Sequence, residues 1–345
     1  MNSNSSTIKK VLINGIVFAI VLGLTIYVVF RHISVGEIIT SIKLVRFRYI
    51  AGGLCAMAIF AVGEGLNIGR PLRAFGDDVS VFQAIKYAVV GFFFSSVTPS
   101  SSGGQPMQLY FMHGDEVPVS HGTLALLFEL MSFEIIATVF SVTGYITQRR
   151  LLMETMGRGR FVLLIGIVVS ILIVAFLCMA IFSRRAISVI CAFGVSIVRH
   201  FSKEKADVLE VKADLMVQEY RSSAVYFKEN KGLLVKSLIT TAVQLIAMFS
   251  VPYFVYMGFG LDSYSAFQII SLQSILYVAV AFLPLPGAVG VSEGAFIIAF
   301  RLMYPKNLLG PAMVLTRCLN FYICVIITGI AVCCFMYRLM KKKDK

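Results

Sequence analysis

FVLLIGIVVSILIVAFLCMAIF, residues 161–182, contains no charged side chain and a single hydroxyl, Ser170. An α-helix rises about 1.5 Å per residue, so about 20 such residues cross a hydrocarbon core about 30 Å thick. In lipid the backbone amides have no water to bond, and a helix satisfies them internally. A second run of the same kind, VLINGIVFAIVLGLTIYVVF, occupies 11–30. The rest of the chain agrees: of 345 residues 58% are hydrophobic and 14% charged, where soluble domains carry about 25% charge. A soluble domain is excluded. The expectation is an all-α, polytopic transmembrane helical bundle, one membrane domain over 1–345.

Hydropathy gives six full spans, near 11–30, 49–68, 122–148, 161–182, 233–258 and 309–337. Lys9 and Lys10 before the first run also suit the start of a cleaved signal peptide. The run exceeds a typical signal core, however, and no A-x-A-like site follows, so it is read as a span.

Two further apolar regions are interrupted. YAVVGFFF (87–94) leads into SSVTPSSSGGQP and then the short MQLYFM (107–112). The run at 269–282 leads into LPLPGAVGVSEG and then AFIIAF (295–300). Proline removes an amide donor and glycine relaxes the backbone, so neither region continues as one helix across 98–106 or 283–293. Non-helical backbone at membrane depth persists where protein or a watery cavity satisfies it. Paired breaks in corresponding halves fit re-entrant or half-helix segments of an inverted repeat, the arrangement that forms substrate sites in transporters. The alternative is that one or both are surface loops between short spans.

With the N-terminus inside and each broken region returning to its own side, twenty of the 31 Lys and Arg residues fall inside. Ten lie between 184 and 236, and five in a basic tail, 338–345. The positive-inside rule then predicts cytoplasmic N- and C-termini. Against it, the outer segments 31–48 and 149–160 carry four basic residues each. The polar stretch 183–232 reads as a cytoplasmic, basic, amphipathic loop, with Val208, Val211, Leu215 and Tyr220 at near-helical spacing; a solvated connector is the alternative.

The net charge of +13 bears on topology here, and no nucleic-acid partner is expected. Seven cysteines without C-x-x-C spacing and four scattered histidines give no metal site and no cofactor.

An ionisable side chain at mid-span costs at least about 2.5 kcal/mol, so it normally faces the bundle interior or water. Glu64, Glu129, Glu134, Glu293 and Arg317 are the candidates. Glu129 and Glu134 stand about 140° apart around a helix and need not share a face. Glu64, with Asn67 and Arg70 close by, reads as lying near an interface. Arg317 offers a planar fork suited to a phosphate, or it pairs with a buried glutamate to fix helix packing.

TPSSSGGQPMQLYFM (98–112), LLFELMSFE (126–134), LPLPGAVGVSEGAF (283–296) and LTRCLNFY (315–322) resemble the transmembrane region of the lysylphosphatidylglycerol synthase family, also called the multiple peptide resistance factor or flippase-like family. The P-x-P-G-x-x-G-x-x-E element is the more specific motif. The resemblance covers nearly the whole chain and implies a bacterial-type cell membrane protein that moves an aminoacylated phospholipid between leaflets. In that family a separate cytoplasmic domain transfers lysine from lysyl-tRNA to phosphatidylglycerol, and this chain is expected to carry the membrane region without it. By resemblance Gly103, Gly104, Gln105, Glu129, Pro286, Gly287, Gly290, Glu293 and Arg317 fall on motif positions. Many relatives have Glu-Arg where this chain has Glu129-Leu130, so a charge pair there is not carried over.

The leading expectation is a flippase-like carrier whose lipid-binding cavity draws on these residues with Gln108 and Glu134. Arg317 would meet the phosphate, and Glu129 and Glu293 a cationic headgroup group. Its partners would be membrane phospholipids, with a homo-oligomer or a separate synthase as protein partner. The phosphatidylglycerol lysyltransferase of the family name and a membrane scaffold subunit are the alternatives.

Overall fold

Residues 35–182, 196, 199, 230–281, 283 and 285–343 are described by a computed structural model. Its first half holds α1 (Val35–Lys43), α2 (Phe47–Ala74), α3 (Val81–Val97), α4 (Gly104–Gly114), α5 (Val119–Thr147), α6 (Arg149–Met156) and α7 (Arg160–Phe182). The second holds α8 (Lys231–Phe249), α9 (Val251–Gly258), α10 (Ala266–Val280), α11 (Val291–Phe300), α12 (Lys306–Arg317) and α13 (Ile323–Lys343). No strand occurs among the described residues. Five helical stretches are long and apolar enough to cross a membrane: Phe47–Ala74, Val119–Thr147, Arg160–Met179, Lys231–Gly258 and Lys306–Leu339. The chain is an all-α polytopic membrane protein. The expected span at 11–30, nearly all of the loop 183–232 and the last two residues of the basic tail lie outside the described residues, and the rest of the tail continues α13.

Several boundaries differ from the hydropathy reading, each for a local reason. The helix expected at 49–68 runs on through Pro71 to Ala74, which puts Glu64 well inside it. The span expected at 233–258 divides at Ser250 into α8 and α9, because Pro252 has no amide to donate to the preceding turn. The last span contains a π-turn, Cys318–Tyr322, directly after Arg317. Pro106 lies in the first turn of α4, where a missing N–H costs nothing. The first break is therefore shorter than 98–106.

The two halves repeat one plan. Phe47–Ala74 and Lys231–Gly258 are each 28 residues long. Each is followed by a helix opened by the same S-x-F-Q box: Ser80 accepts from the Gln83 amide at 3.2 Å and Ser265 from the Gln268 amide at 3.3 Å, while each glutamine side chain accepts the serine amide at 2.9 Å. A 3-10 turn and a short helix come next, and then a long helix entered through a proline, Pro118 or Pro305.

The seam between the halves fixes their relative direction. Gly52 of α2 lies against Phe254, Gly63 against Gln244, Asn67 against Thr241 and Arg70 against Thr240 and the Lys236 carbonyl. Numbers rise along α2 as they fall along α9 and α8, so the matching helices run antiparallel and the repeat is inverted. Lipid tails are as apolar as leucine, so such seams depend on close backbone approach at small residues. Gly63 of α2 is buried against Gln244 across the seam, while Gly65 and Gly69 are buried against Ile85 and Ala84 of α3 within the first half.

Candidate functional site

α3 ends at Val97, and Thr98 turns the chain with extended backbone (φ −112°, ψ 148°). The Thr98 hydroxyl donates to the Phe94 carbonyl at 2.6 Å and accepts from the Gly103 amide at 2.8 Å, bridging the break from both sides. Between them, Ser100 and Ser101 adopt left-handed backbone (φ 51° and 56°) in the turn Pro99–Ser101. Gly104 opens α4 so close to Ser95 that a β-carbon would overlap its hydroxyl. Gln108, buried one turn later, donates to the Tyr87 carbonyl at 3.2 Å. Gln105 is exposed, as are Pro99 to Ser102.

The second break is built alike. In the turn Pro286–Ala288, Gly287 has φ 56° and Ala288 φ 49°, and Gly290 at φ 86° precedes α11. A β-carbon on Gly287 would strike the Phe321 ring, so conformation and space both require glycine. Arg317 holds the break from α12. Its Nε donates to Glu293 Oε1 at 2.8 Å and its Nη2 to the Gly287 carbonyl at 2.9 Å. The other Glu293 oxygen accepts from the Gly290 amide at 2.6 Å and the Ser292 hydroxyl at 3.0 Å, and Tyr322 donates to Oε1 at 3.1 Å. The guanidinium lies over the Phe321 ring, 4.4 Å from its centroid. Thr316 Oγ1 and Asn320 Oδ1, one turn apart and flanking Arg317, are buried atoms with no partner among the described residues.

The turns Pro99–Ser101 and Pro286–Ala288 pack against each other, and the second also touches α3. Two stretches of strained, non-helical backbone, nearly 190 residues apart in sequence, thus meet at one place between inverted halves.

Of the residues expected to form the site, Pro286, Gly287, Gly290, Glu293 and Arg317 form one bonded unit, and Gly103, Gly104 and Gln108 frame the facing break. The separate contacts expected for Arg317 and Glu293 are replaced by one ion pair between them, the kind of partner named in the alternative reading of Arg317. Glu129 and Glu134 belong to another cluster and have different partners, as their angular separation allowed. Glu129 is buried, and its carboxyl lies close to that of Glu64. Glu134 accepts from Ser170 of α7 at 3.1 Å. Glu64, expected near an interface, instead accepts from Gln244 at 2.6 Å on the seam between the halves. The Arg70 guanidinium, Asn67 and Gln244 continue that polar line, with Asn67 donating to Thr241 at 2.9 Å. Glu64, Asn67 and Arg70 recur every three residues, and that shared face was the signal in the sequence.

The profile described as the lysylphosphatidylglycerol synthase TM region matches residues 12–328. A protein of Archaeoglobus fulgidus named UPF0104 membrane protein is 25% identical over 277 residues, 78% of this chain and 80% of its own length. No solved structure matches the chain.

Proposed function

The chain belongs to the lysylphosphatidylglycerol synthase TM-region family, and from that premise we propose that it moves a phospholipid, an aminoacylated phosphatidylglycerol or a relative of it, between the leaflets of a cell membrane. The observation that carries this reading is the meeting of the two breaks between antiparallel halves. Backbone that leaves the helix inside a membrane needs a polar surrounding, and a transporter uses such a place to pass a polar group. Arg317 supplies the phosphate contact through the donors it now gives to Glu293 and Gly287. Glu293 is released when a phosphate replaces it, and it then faces the cationic end of the same headgroup. Thr316 and Asn320, in the same stretch of the last span, add buried polar atoms with no partner among the described residues. Both termini are cytoplasmic on the count of basic residues. The first break then opens from the cytoplasm and the second from outside.

The test is the rate at which fluorescent phosphatidylglycerol becomes accessible to a membrane-impermeant quencher in vesicles holding only this protein. The intact chain is expected to exceed protein-free vesicles, and Arg317→Ala to lower the rate by between about ten- and a hundred-fold, the value of a charged hydrogen bond. An intact chain no faster than empty vesicles, or Arg317→Ala as fast as the intact chain, overturns the proposal.

A further inference from the structure

The basic segment 149–160, which runs against the charge rule, surrounds a cavity. Where α5 ends and α7 begins, α6 connects them, and Tyr145, Ile146, Arg149, Leu152, Arg160 and Phe161 enclose about 400 Å³. Leu152, 1% exposed, forms an apolar floor, and the exposed Ile146 and Phe161 are its outward-facing walls. Arg149 and Arg160 both line it, and neither has a carboxylate partner among the described residues. The nearest acid in sequence, Glu154, is taken by Arg150 at 3.1 Å, and its backbone carbonyl by Arg301 at 3.0 Å. Arg160 lies over the ring of Phe161, 5.3 Å from its centroid. Because α5 and α7 are both long and apolar enough to cross a membrane, their joined ends stand at the level of the headgroups.

We infer that this cavity is a second lipid site, separate from the two breaks, that holds the phosphate of an anionic phospholipid between Arg149 and Arg160. Two uncompensated guanidiniums above an apolar floor match a phosphate carried on a hydrocarbon tail. The planar forks bind its oxygens, and the tail descends along Ile146 and Phe161 into the bilayer. Basic pockets between helix ends at the interface take anionic headgroups for this reason. The excess of positive charge on this face is then a binding feature and carries no information on orientation. The site holds whether or not the chain moves lipid across the membrane.

Free phosphate shares the headgroup's chemistry and lacks its tail, so the test separates them. Native mass spectrometry of the purified chain in detergent is run with phosphatidylglycerol, with phosphatidylcholine of the same acyl chains and with inorganic phosphate. Phosphatidylglycerol is expected to be retained above both others. The double substitution Arg149→Gln with Arg160→Gln is expected to weaken that retention by about thirty-fold, the attraction of two basic groups at a membrane surface. Arg150→Gln, which removes a neighbouring arginine already paired with Glu154, is expected to leave it unchanged. Equal retention of phosphatidylcholine, saturation by inorganic phosphate alone, or undiminished retention by the double variant would overturn the assignment. So would a thirty-fold loss in Arg150→Gln.

Discussion

Arg317 and Glu293 are each 13% exposed in their side chains, and each satisfies the other where a lone charge would be costly. Removing one member of such a pair typically costs about 3–5 kcal/mol, because the survivor stays buried and unpaired. Glu293→Gln and Arg317→Gln should each lower the melting midpoint in detergent sharply. The double variant should lose less than the sum, with a coupling of about 0.5–3 kcal/mol; strict additivity would show that the pair does not interact in solution. Gly287 gives a second test. Alanine there meets both a left-handed backbone and the Phe321 ring, so Gly287→Ala should cost at least about 1–3 kcal/mol and, on the proposed function, slow lipid movement. A variant as stable and as fast as the intact chain would mean that the turn relaxes without consequence. The sequence already marked both residues as chemically unusual. Their partnership was not legible, because a contact across 24 positions depends on how the chain returns after the break. Glu64 was misread for a related reason: the apolar run fades at 68 while the helix continues to Ala74, so a residue deep in a helix looked like one near its end.

Helices follow from hydropathy wherever an apolar run is bounded by charge or proline, as at Arg160–Phe182 and Val119–Thr147. They escape it where the cause is a single residue within an apolar run, as at Pro252, or an inserted one, as in the π-turn Cys318–Tyr322. The matched S-x-F-Q boxes are the clearest sign of repetition at this scale, and they have a measurable value. Ser80→Ala and Ser265→Ala should each cost about 1 kcal/mol of stability, the usual value of a serine cap, with effects that add because the two caps begin different helices in different halves. A negligible loss in either would show that the box is not formed. Close approach within a half is tested at Gly65, where a β-carbon would lie 2.8 Å from the Ile85 backbone. Gly65→Leu should push α2 and α3 apart and destabilise by more than the about 1–3 kcal/mol of ordinary overpacking, because backbone cannot step aside as a side chain can.

An inverted repeat at the scale of the molecule constrains where each break opens. The α2 seam runs antiparallel to α8 and α9, so whatever face the α3–α4 break turns toward, the α10–α11 break turns toward the opposite one. The sequence carried this as two Pro/Gly interruptions at matching places. It could not supply the direction, which depends on the pairing of Asn67 with Thr241 and of Arg70 with Thr240 across more than 160 residues. Single cysteines test the consequence in a background from which the native seven have been removed. Ser101 is exposed in the first break, and Gly294 is exposed at the start of α11 with open space beside it. A thiol at Ser101→Cys should react with a membrane-impermeant maleimide added to one side of sealed vesicles, and one at Gly294→Cys only with reagent on the other. With cytoplasmic termini, the first side is the cytoplasmic one. Labelling of both from the same side would contradict the inverted arrangement, and with it the premise that two half-sites of opposite access meet around one polar group.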